Sequence, residues 1–519
     1  MKILKEKENV PKNEVKVQEI ESKFLTKKQN IFVVSLIILA VFIAISIYWL
    51  YQNTGNLTLE QIIFHLKVPT KGTNIDMVWD YVWWTLLRIL LITVIISGIL
   101  YMYEKKSKLK KSEMQRVLYF LSKVTLIASI ITVLYVIDVW GFTKNQITAS
   151  QLIEIEYVDS SKVAIEFPEQ KQNLIYIYLE SMENTFSSTE NGGMYQEDRM
   201  PELSQLAKEN LNFSNTENIG GALNLQGTGW TIAAMVSQTS GVPLKISIGQ
   251  NDYGNHETFL PGVYTLGEVL EKNGYKNYLL LGSESEFGGR KSYFESHGNY
   301  KIWDYISAVE EKRMTKEEKV WWGYDDSDLF AYAKEQLTEI SKKDEPFNYT
   351  MLTVDTHFTD GYLCENCEEH FEDQYSNVIR CSSQQVAEFV SWIKEQPFYE
   401  NTTIIVTGDH LTMQASIEQD ANEKKYGERS VYNAFINAKA EPVLTTNRTF
   451  FTIDMYPTTL AALGAKIEGN RLGLGTNLFS EEQTLAEKYG LQYVREELEK
   501  KSTFYNKYLI YANNKNQEN

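Results

Sequence analysis

The sequence predicts a large α/β domain, a central sheet with helices on both faces, carried outside the cell on three N-terminal transmembrane helices. Three observations predict it. Apolar runs at Ile31 to Tyr51, Val82 to Tyr103 and Val117 to Val139 are each long enough to cross a hydrocarbon core of roughly 30 Å. Beyond them, strand-like runs (Ile175 to Leu179, Tyr278 to Leu281, Tyr349 to Val354, Thr403 to Val406) alternate with helical stretches (Pro201 to Asn210, Leu266 to Asn273, Ser382 to Glu395). Two of these strands run straight into acids, Glu180 after the first and Asp409-His410 after the last.

Flanking charge orients the membrane part. Lys2, Lys5, Lys7, Lys12, Lys16, Lys23, Lys27 and Lys28 precede the first span, and Lys105, Lys106, Lys108, Lys110, Lys111 and Arg116 separate the second from the third. Both stretches are expected in the cytoplasm. The connection from Gln52 to Tyr81 holds only Lys67 and Lys71, so it faces out, and three crossings leave everything after Gly141 outside. The lysine-rich leader, with no small-residue cleavage site after Tyr51, reads as a retained anchor rather than a signal peptide.

The expected organisation is a cytoplasmic tail at 1–30, a three-helix region at 31–139 with outer loop 52–81 and inner loop 104–116, and a juxtamembrane connector at 140–172. A catalytic domain at 173–480 follows, then a C-terminal helical segment and polar tail at 481–519. In the outer loop, Thr58 with Gln61 forms a capping-box pattern, and Leu59, Ile62, Ile63 and Leu66 follow at helical spacing. This predicts a short helix packed on the outer leaflet. Arg88, in the second span, is placed to snorkel or to meet a lipid phosphate.

Between the two acid-ended strands lies Gln226-Gly227-Thr228-Gly229-Trp230-Thr231, a Gly-rich turn entering a helix that is expected to begin near Gly229. A hydroxyl, two carboxylates and an imidazole, each delivered where an element ends, are the parts of a metal-activated nucleophile. Hard oxygen donors with one imidazole suit manganese or magnesium. Each residue alone has an ordinary reading: Thr228 as a helix cap, Glu180 as a solvated carboxylate, His357 as a core histidine. The combination carries the chemistry.

Four motifs, Tyr178-Leu179-Glu180-Ser181, the turn around Thr228, Thr353-Val354-Asp355-Thr356-His357-Phe358 and Gly408-Asp409-His410, resemble the membrane phosphoglycerol transferases. That family includes the lipoteichoic acid synthases and the phosphoglycerol transferases of osmoregulated periplasmic glucans, within the sulfatase and alkaline-phosphatase superfamily. The stretch Thr452 to Leu460 resembles the closing segment of sulfatase-like domains, so the likeness covers about 173–479. The resemblance implies one divalent metal, usually manganese, on Glu180, Thr228, Asp409 and His410, with Thr228 as nucleophile. It also implies His357 as a contact to the transferred group and Arg290 as its basic partner, although Phe287-Gly288-Gly289 lacks the tryptophan that precedes this arginine in the lipoteichoic acid synthases. Three crossings depart from the five of those synthases.

The implied activity is transfer of glycerol phosphate from phosphatidylglycerol to an extracellular polymer or glycan. Phosphoethanolamine transfer is the near alternative, and a silent lipid- or glycan-binding protein the distant one. A true sulfatase needs a formylglycine precursor, which Thr228-Gly229-Trp230 is not. A net charge of −17 excludes a nucleic-acid partner, and the missing P-loop and dinucleotide fingerprint exclude a nucleotide. Cys364, Cys367 and Cys381 are expected to give one disulfide with a thiol left over; with His370 they form the second possibility, a structural zinc site.

Overall fold

A computed structural model describes residues 12–55, 57–68, 71–73, 75–106, 111–246 and 259–512. Lys2, Lys5, Lys7, Lys108, Lys110 and the polar tail at 513–519 lie outside the described residues. The chain divides into two compact units, 1–52 with 75–140, and 53–74 with 141–519.

The smaller unit is built from helices α1 (Lys12–Asn53), α3 (Ile75–Lys106) and α4 (Lys111–Val136), with α2 (Leu59–Lys67) lying between the first two in sequence. Three stretches within them, Ile31–Asn53, Met77–Ile96 and Arg116–Val136, are long and apolar enough to cross a membrane. The second begins ahead of the run read from sequence. Phe42, Trp83, Leu90, Phe120 and Tyr135 face outward from these helices, as side chains do when lipid is their solvent. Arg88 lies over the Trp84 ring, 3.5 Å from its centroid.

The larger unit is organised by a six-stranded sheet: β1 (Asn173–Leu179), β2 (Lys276–Leu281), β3 (Lys301–Trp303), β4 (Phe347–Leu352), β5 (Thr402–Gly408) and β6 (Asn433–Ile436), in spatial order β3-β2-β4-β1-β5-β6. All neighbours are parallel except the β5–β6 pair. A parallel sheet is covered on both faces, which is why its strands read as unbroken apolar runs. Alternation along β1 sends Leu174, Tyr176 and Tyr178 into one core and Ile175, Ile177 and Leu179 into the other. The first core is closed by α5 (Thr231–Ser240) and helices Leu266–Lys272 and Met455–Ala462; the second by Pro201–Glu209, Asp326–Ile340 and Gln374–Lys394.

Register then places the chemistry. Leu179 on β1 pairs with Gly408 on β5, and Tyr178 pairs with Leu352 on β4. The next residues of three central strands therefore emerge together at one sheet edge, the crevice where open α/β sheets bind ligands.

Three segments that the sequence set apart fold into the larger unit. In the connector, Leu152 and Ile153 are buried, and Ile165–Glu166 pairs antiparallel with Lys466–Ile467. In the C-terminal segment, Val494, Leu498, Tyr505 and Leu509 are buried in the first core. The outer-loop helix α2 forms with the expected cap, Gln61 N–H donating to Thr58 Oγ1 at 3.3 Å. Its apolar face, however, meets protein. Phe64 is fully buried, 5.5 Å from the Trp230 ring, and Val68 joins the same core. An amphipathic stripe serves a leaflet or a protein surface equally well, and here the protein takes it.

Candidate active site

The strand ends bring Glu180, Asp409 and His410 into one buried group, with one potential ligand atom from each within 4.8 Å of the others. Asp409 N–H donates to Leu179 O at 3.0 Å, continuing the β1–β5 ladder one residue past its end. Gly408 is required at that point, since a Cβ there would lie 1.9 Å from Met182 O. Ser181 turns the chain away with φ +56°, donating its amide to Asp409 Oδ1 and its hydroxyl to Glu180 Oε1, both at 2.8 Å. Thr353 Oγ1 accepts from Glu180 N–H at 3.0 Å, and Thr356 Oγ1 donates to Glu180 O at 2.5 Å.

Several features of this group fit a divalent cation. Asp409 Oδ2 is buried without a hydrogen-bond partner. His410 Nδ1 lies 2.8 Å from Leu411 O, which makes it the protonated nitrogen and leaves Nε2 facing Glu180 Oε1 at 3.4 Å and Asp409 Oδ2 at 3.3 Å. A lone pair aimed at two carboxylates is repulsive unless positive charge lies between them. The protein alone supplies that charge by protonation. Burial and the neighbouring Glu180 charge push Asp409 up to about 8, while the carboxylates hold the His410 imidazolium up to about 9 against its burial. A bound cation would take the protons' place.

Thr228 is buried, and its hydroxyl donates to Leu225 O at 2.7 Å. Helix α5 begins at Thr231, two residues after the expected start, with Trp230 at its N-cap. It docks the threonine's turn on the strand ends. Thr231 Oγ1 donates to Glu180 Oε2 at 3.2 Å, and Gln238 Nε2 donates to the carbonyls of Gly408 and Asp409 at 3.1 and 3.2 Å.

Arg290 is buried, its guanidinium donating to Phe287 O at 3.1 Å, Ser283 Oγ at 3.1 Å and Glu284 O at 2.7 Å. Burial pulls it down to about 10, opposed by the charges of Glu180, Asp304 and Asp409, so it stays cationic and faces the carboxylate group electrostatically. Burial also lowers His357, against the pull of Glu180; its Nδ1 lies 2.5 Å from Phe358 O. Trp322 packs on the His357 ring at 4.8 Å and on Phe287 at 5.3 Å.

A supporting ion pair lies behind the cluster. Glu183, fully buried, accepts from Arg429 Nε at 2.9 Å and Nη2 at 2.6 Å, and from Thr412 N–H at 2.9 Å, which fixes the chain just past His410. The sequence motifs include Ser181 and Thr231 without giving them a role, and sequence reasoning did not find Gln238, Glu183 or Trp322. Their residue types are ordinary, and only tertiary contact gives them a role.

The cysteines form the disulfide rather than the zinc site. Cys367 and Cys381 are bonded and Cys364 is the buried free thiol. His370 points elsewhere, with Nε2 2.6 Å from Glu197 Oε1. Bonded sulfurs are not thiolate ligands, so the four-ligand set is not assembled.

The sulfatase family profile matches residues 172–465, more than half of the chain. The chain belongs to the sulfatase family. It is 31% identical over 338 residues to phosphoglycerol transferase I of Citrobacter koseri and 31% identical over 334 residues to phosphoglycerol transferase I of Escherichia coli, in each case over 62% of this chain. It spans only 41% of the length of those relatives. Among solved structures, it resembles the lipoteichoic acid synthase LtaP of Listeria monocytogenes, with a TM-score of 0.48 at 18% identity over 64% of this chain and 82% of that one. It also resembles the lipooligosaccharide phosphoethanolamine transferase EptA of Neisseria meningitidis, with a TM-score of 0.46 at 12% identity over 83% and 84%.

Proposed function

We propose that the protein is a membrane-anchored phosphoglycerol transferase that moves glycerol phosphate from phosphatidylglycerol to an extracellular polymer or glycan. The observation that carries the reading is the buried Glu180, Asp409 and His410 group at the strand ends, held against the helix that follows Thr228. The likeness to curated phosphoglycerol transferases supports the same class of reaction. The catalytic domain lies outside the cell in this reading, where a lipid donor needs no nucleotide.

Thr228 is the nucleophile. Its Oγ1 attacks the donor phosphorus, an ester bond between threonine and phosphorus forms, and the bond from phosphorus to diacylglycerol breaks. The departing alkoxide takes up a proton. An acceptor hydroxyl then attacks the same phosphorus and frees Thr228. Glu180, Thr228, Asp409 and His410 would hold one divalent ion, manganese before magnesium, which supplies Lewis acidity and lowers the pKa of the threonine hydroxyl. Arg290 contributes fixed positive charge to the transferred phosphoryl group, and His357, with Nδ1 turned to Phe358 O, contacts it through Nε2, donating a hydrogen bond when that nitrogen is protonated.

The test is release of labelled diacylglycerol from fluorescent phosphatidylglycerol by detergent-purified protein with manganese, beside Thr228→Ala. Release by the wild type alone is the expected result. Release only from phosphatidylethanolamine would move the assignment to phosphoethanolamine transfer, and release from neither lipid would leave a silent binding protein.

A further inference from the structure

The outer-loop helix α2 lies closer to the chemistry than its sequence position suggests. Gln61 Nε2 donates to Gly229 O at 3.1 Å, the residue next to Thr228, and Phe64 packs on Trp230 at 5.5 Å. The two residues that follow the nucleophile are thus held by one helix. Beyond Phe64, the His65 side chain is exposed. Its ring stacks on Phe287 at 6.1 Å with an interplanar angle of 22°. Phe287 packs on Trp322 and Trp322 on His357, so an unbroken wall of rings leads from His65 to the site.

That wall carries an unused donor. Trp322 is 5% exposed and its indole Nε1 has no hydrogen-bond partner among the described residues; the same holds for Trp230 Nε1. A buried N–H without an acceptor costs about 1–3 kcal/mol, so the arrangement suits a ligand that brings oxygens. Leu66, beside His65, is 81% exposed.

The helix is also fixed at both ends. Gly55 N–H donates to Met413 O at 2.7 Å, and Lys71 pairs with Glu286 at 2.8 Å. Gly72, with φ +86°, passes so close that a Cβ would lie 2.8 Å from Glu284 Cβ. By sequence the segment joins the span ending at Asn53 to the helix starting at Ile75, which ties this wall to membrane-spanning chain on both sides.

We propose that α2 forms one wall of the donor subsite, where His65 and the Trp322 indole N–H receive the glycerol-ester end of a glycerophospholipid while its phosphodiester reaches Thr228. Aromatic faces suit the glycerol backbone and the first methylenes, and a neutral imidazole and an indole N–H offer hydrogen bonds to ester carbonyls. The inference deepens the transferase reading and rests on it. It differs in naming His65, on the loop between the first two spans, and Trp322 as determinants of the lipid.

The experiment measures kcat/KM of the full-length protein in detergent on phosphatidylglycerol and on bis(p-nitrophenyl) phosphate, a diester without glycerol esters. The variants are His65→Ala, His65→Gln and Trp322→Phe. The ratio of lipid to soluble-ester kcat/KM is expected to fall about tenfold in His65→Ala and Trp322→Phe, the scale of one lost hydrogen bond. The fall should appear in KM rather than kcat, with part of it restored in His65→Gln. An unchanged ratio, including equal losses on both substrates, overturns the proposal. If the wild type cleaves neither substrate, the transferase reading itself fails and takes this inference with it. Lipid turnover by the wild type with a ratio insensitive to all three variants sinks the inference alone.

Discussion

The strand-end cluster and the outer-loop helix both hold residues just after Thr228 and are built by different means. The cluster is all short polar contact: Glu180, Ser181, Asp409 and His410 are locked by backbone amides, Thr353, Thr356 and the buried Glu183–Arg429 pair. The helix is mostly apolar contact, with Phe64 on Trp230 and His65 on Phe287. Charge chemistry needs positions held rigidly by a sheet, whereas a wall for a partly apolar substrate needs shape and little else. The difference predicts which changes stop chemistry and which loosen substrate.

The largest effect is expected on the cluster side. Thr228→Ala should lower diacylglycerol release by a thousandfold or more, on the order seen when a covalent nucleophile is removed, while the thermal transition stays in place. An active Thr228→Ala enzyme would remove the nucleophile from the account.

Next in size is the ion pair behind the cluster. Arg429→Ala leaves Glu183 buried without its partner, at a cost of about 3–5 kcal/mol. Urea denaturation should show it as a lower midpoint with an unchanged slope. A loss under 1 kcal/mol would mean that water or another cation replaces the guanidinium.

On the helix side, Phe64→Ala should cost about 3 kcal/mol through its cavity and act locally. Limited proteolysis should then cut within 59–67 while the sheet domain keeps its protection. If the cutting pattern equals that of wild type, α2 is held by something other than this contact, as a leaflet-bound helix would be.

A pH-dependent effect concerns Asp454, which accepts amide bonds from Phe451 at 2.9 Å and Thr476 at 2.8 Å beneath α5. Burial raises its carboxyl to about 7 from 3.8, the backbone bonds only partly opposing. A folded-state pKa above the unfolded value gives stability that is full below the unfolded pKa and is lost as pH rises through the folded one. Stability should therefore decline from pH 3.8 to about 7 through this group. Asp454→Asn should flatten that part of the profile, measured as the urea midpoint against pH.

How far each region was legible follows from the same contrast. Strands β1, β2, β4 and β5 could be read because burial on both faces makes them continuous apolar runs. The edge strands Lys301–Trp303 and Asn433–Ile436 were missed, being too short for a pattern. Helix Gln374–Lys394 starts eight residues before the stretch expected from Ser382, since buried Ser382, Ser383 and Asn377 break its apolar stripe. Asp373, whose side chain accepts from Ser376 N–H at 2.8 Å, was the signal that could have marked its start. The capping box of α2 was visible in Thr58 and Gln61. Its partner was not, because an apolar face does not say what covers it.

The most direct test of the central claim is an acid-quenched reaction with phosphatidylglycerol and manganese, followed by peptide mass spectrometry. The account predicts one glycerophosphate group on the peptide containing Thr228, lost in Thr228→Ala and strongly reduced in Glu180→Gln. Diacylglycerol release with no adduct at any time point, or an adduct on another residue, would contradict it.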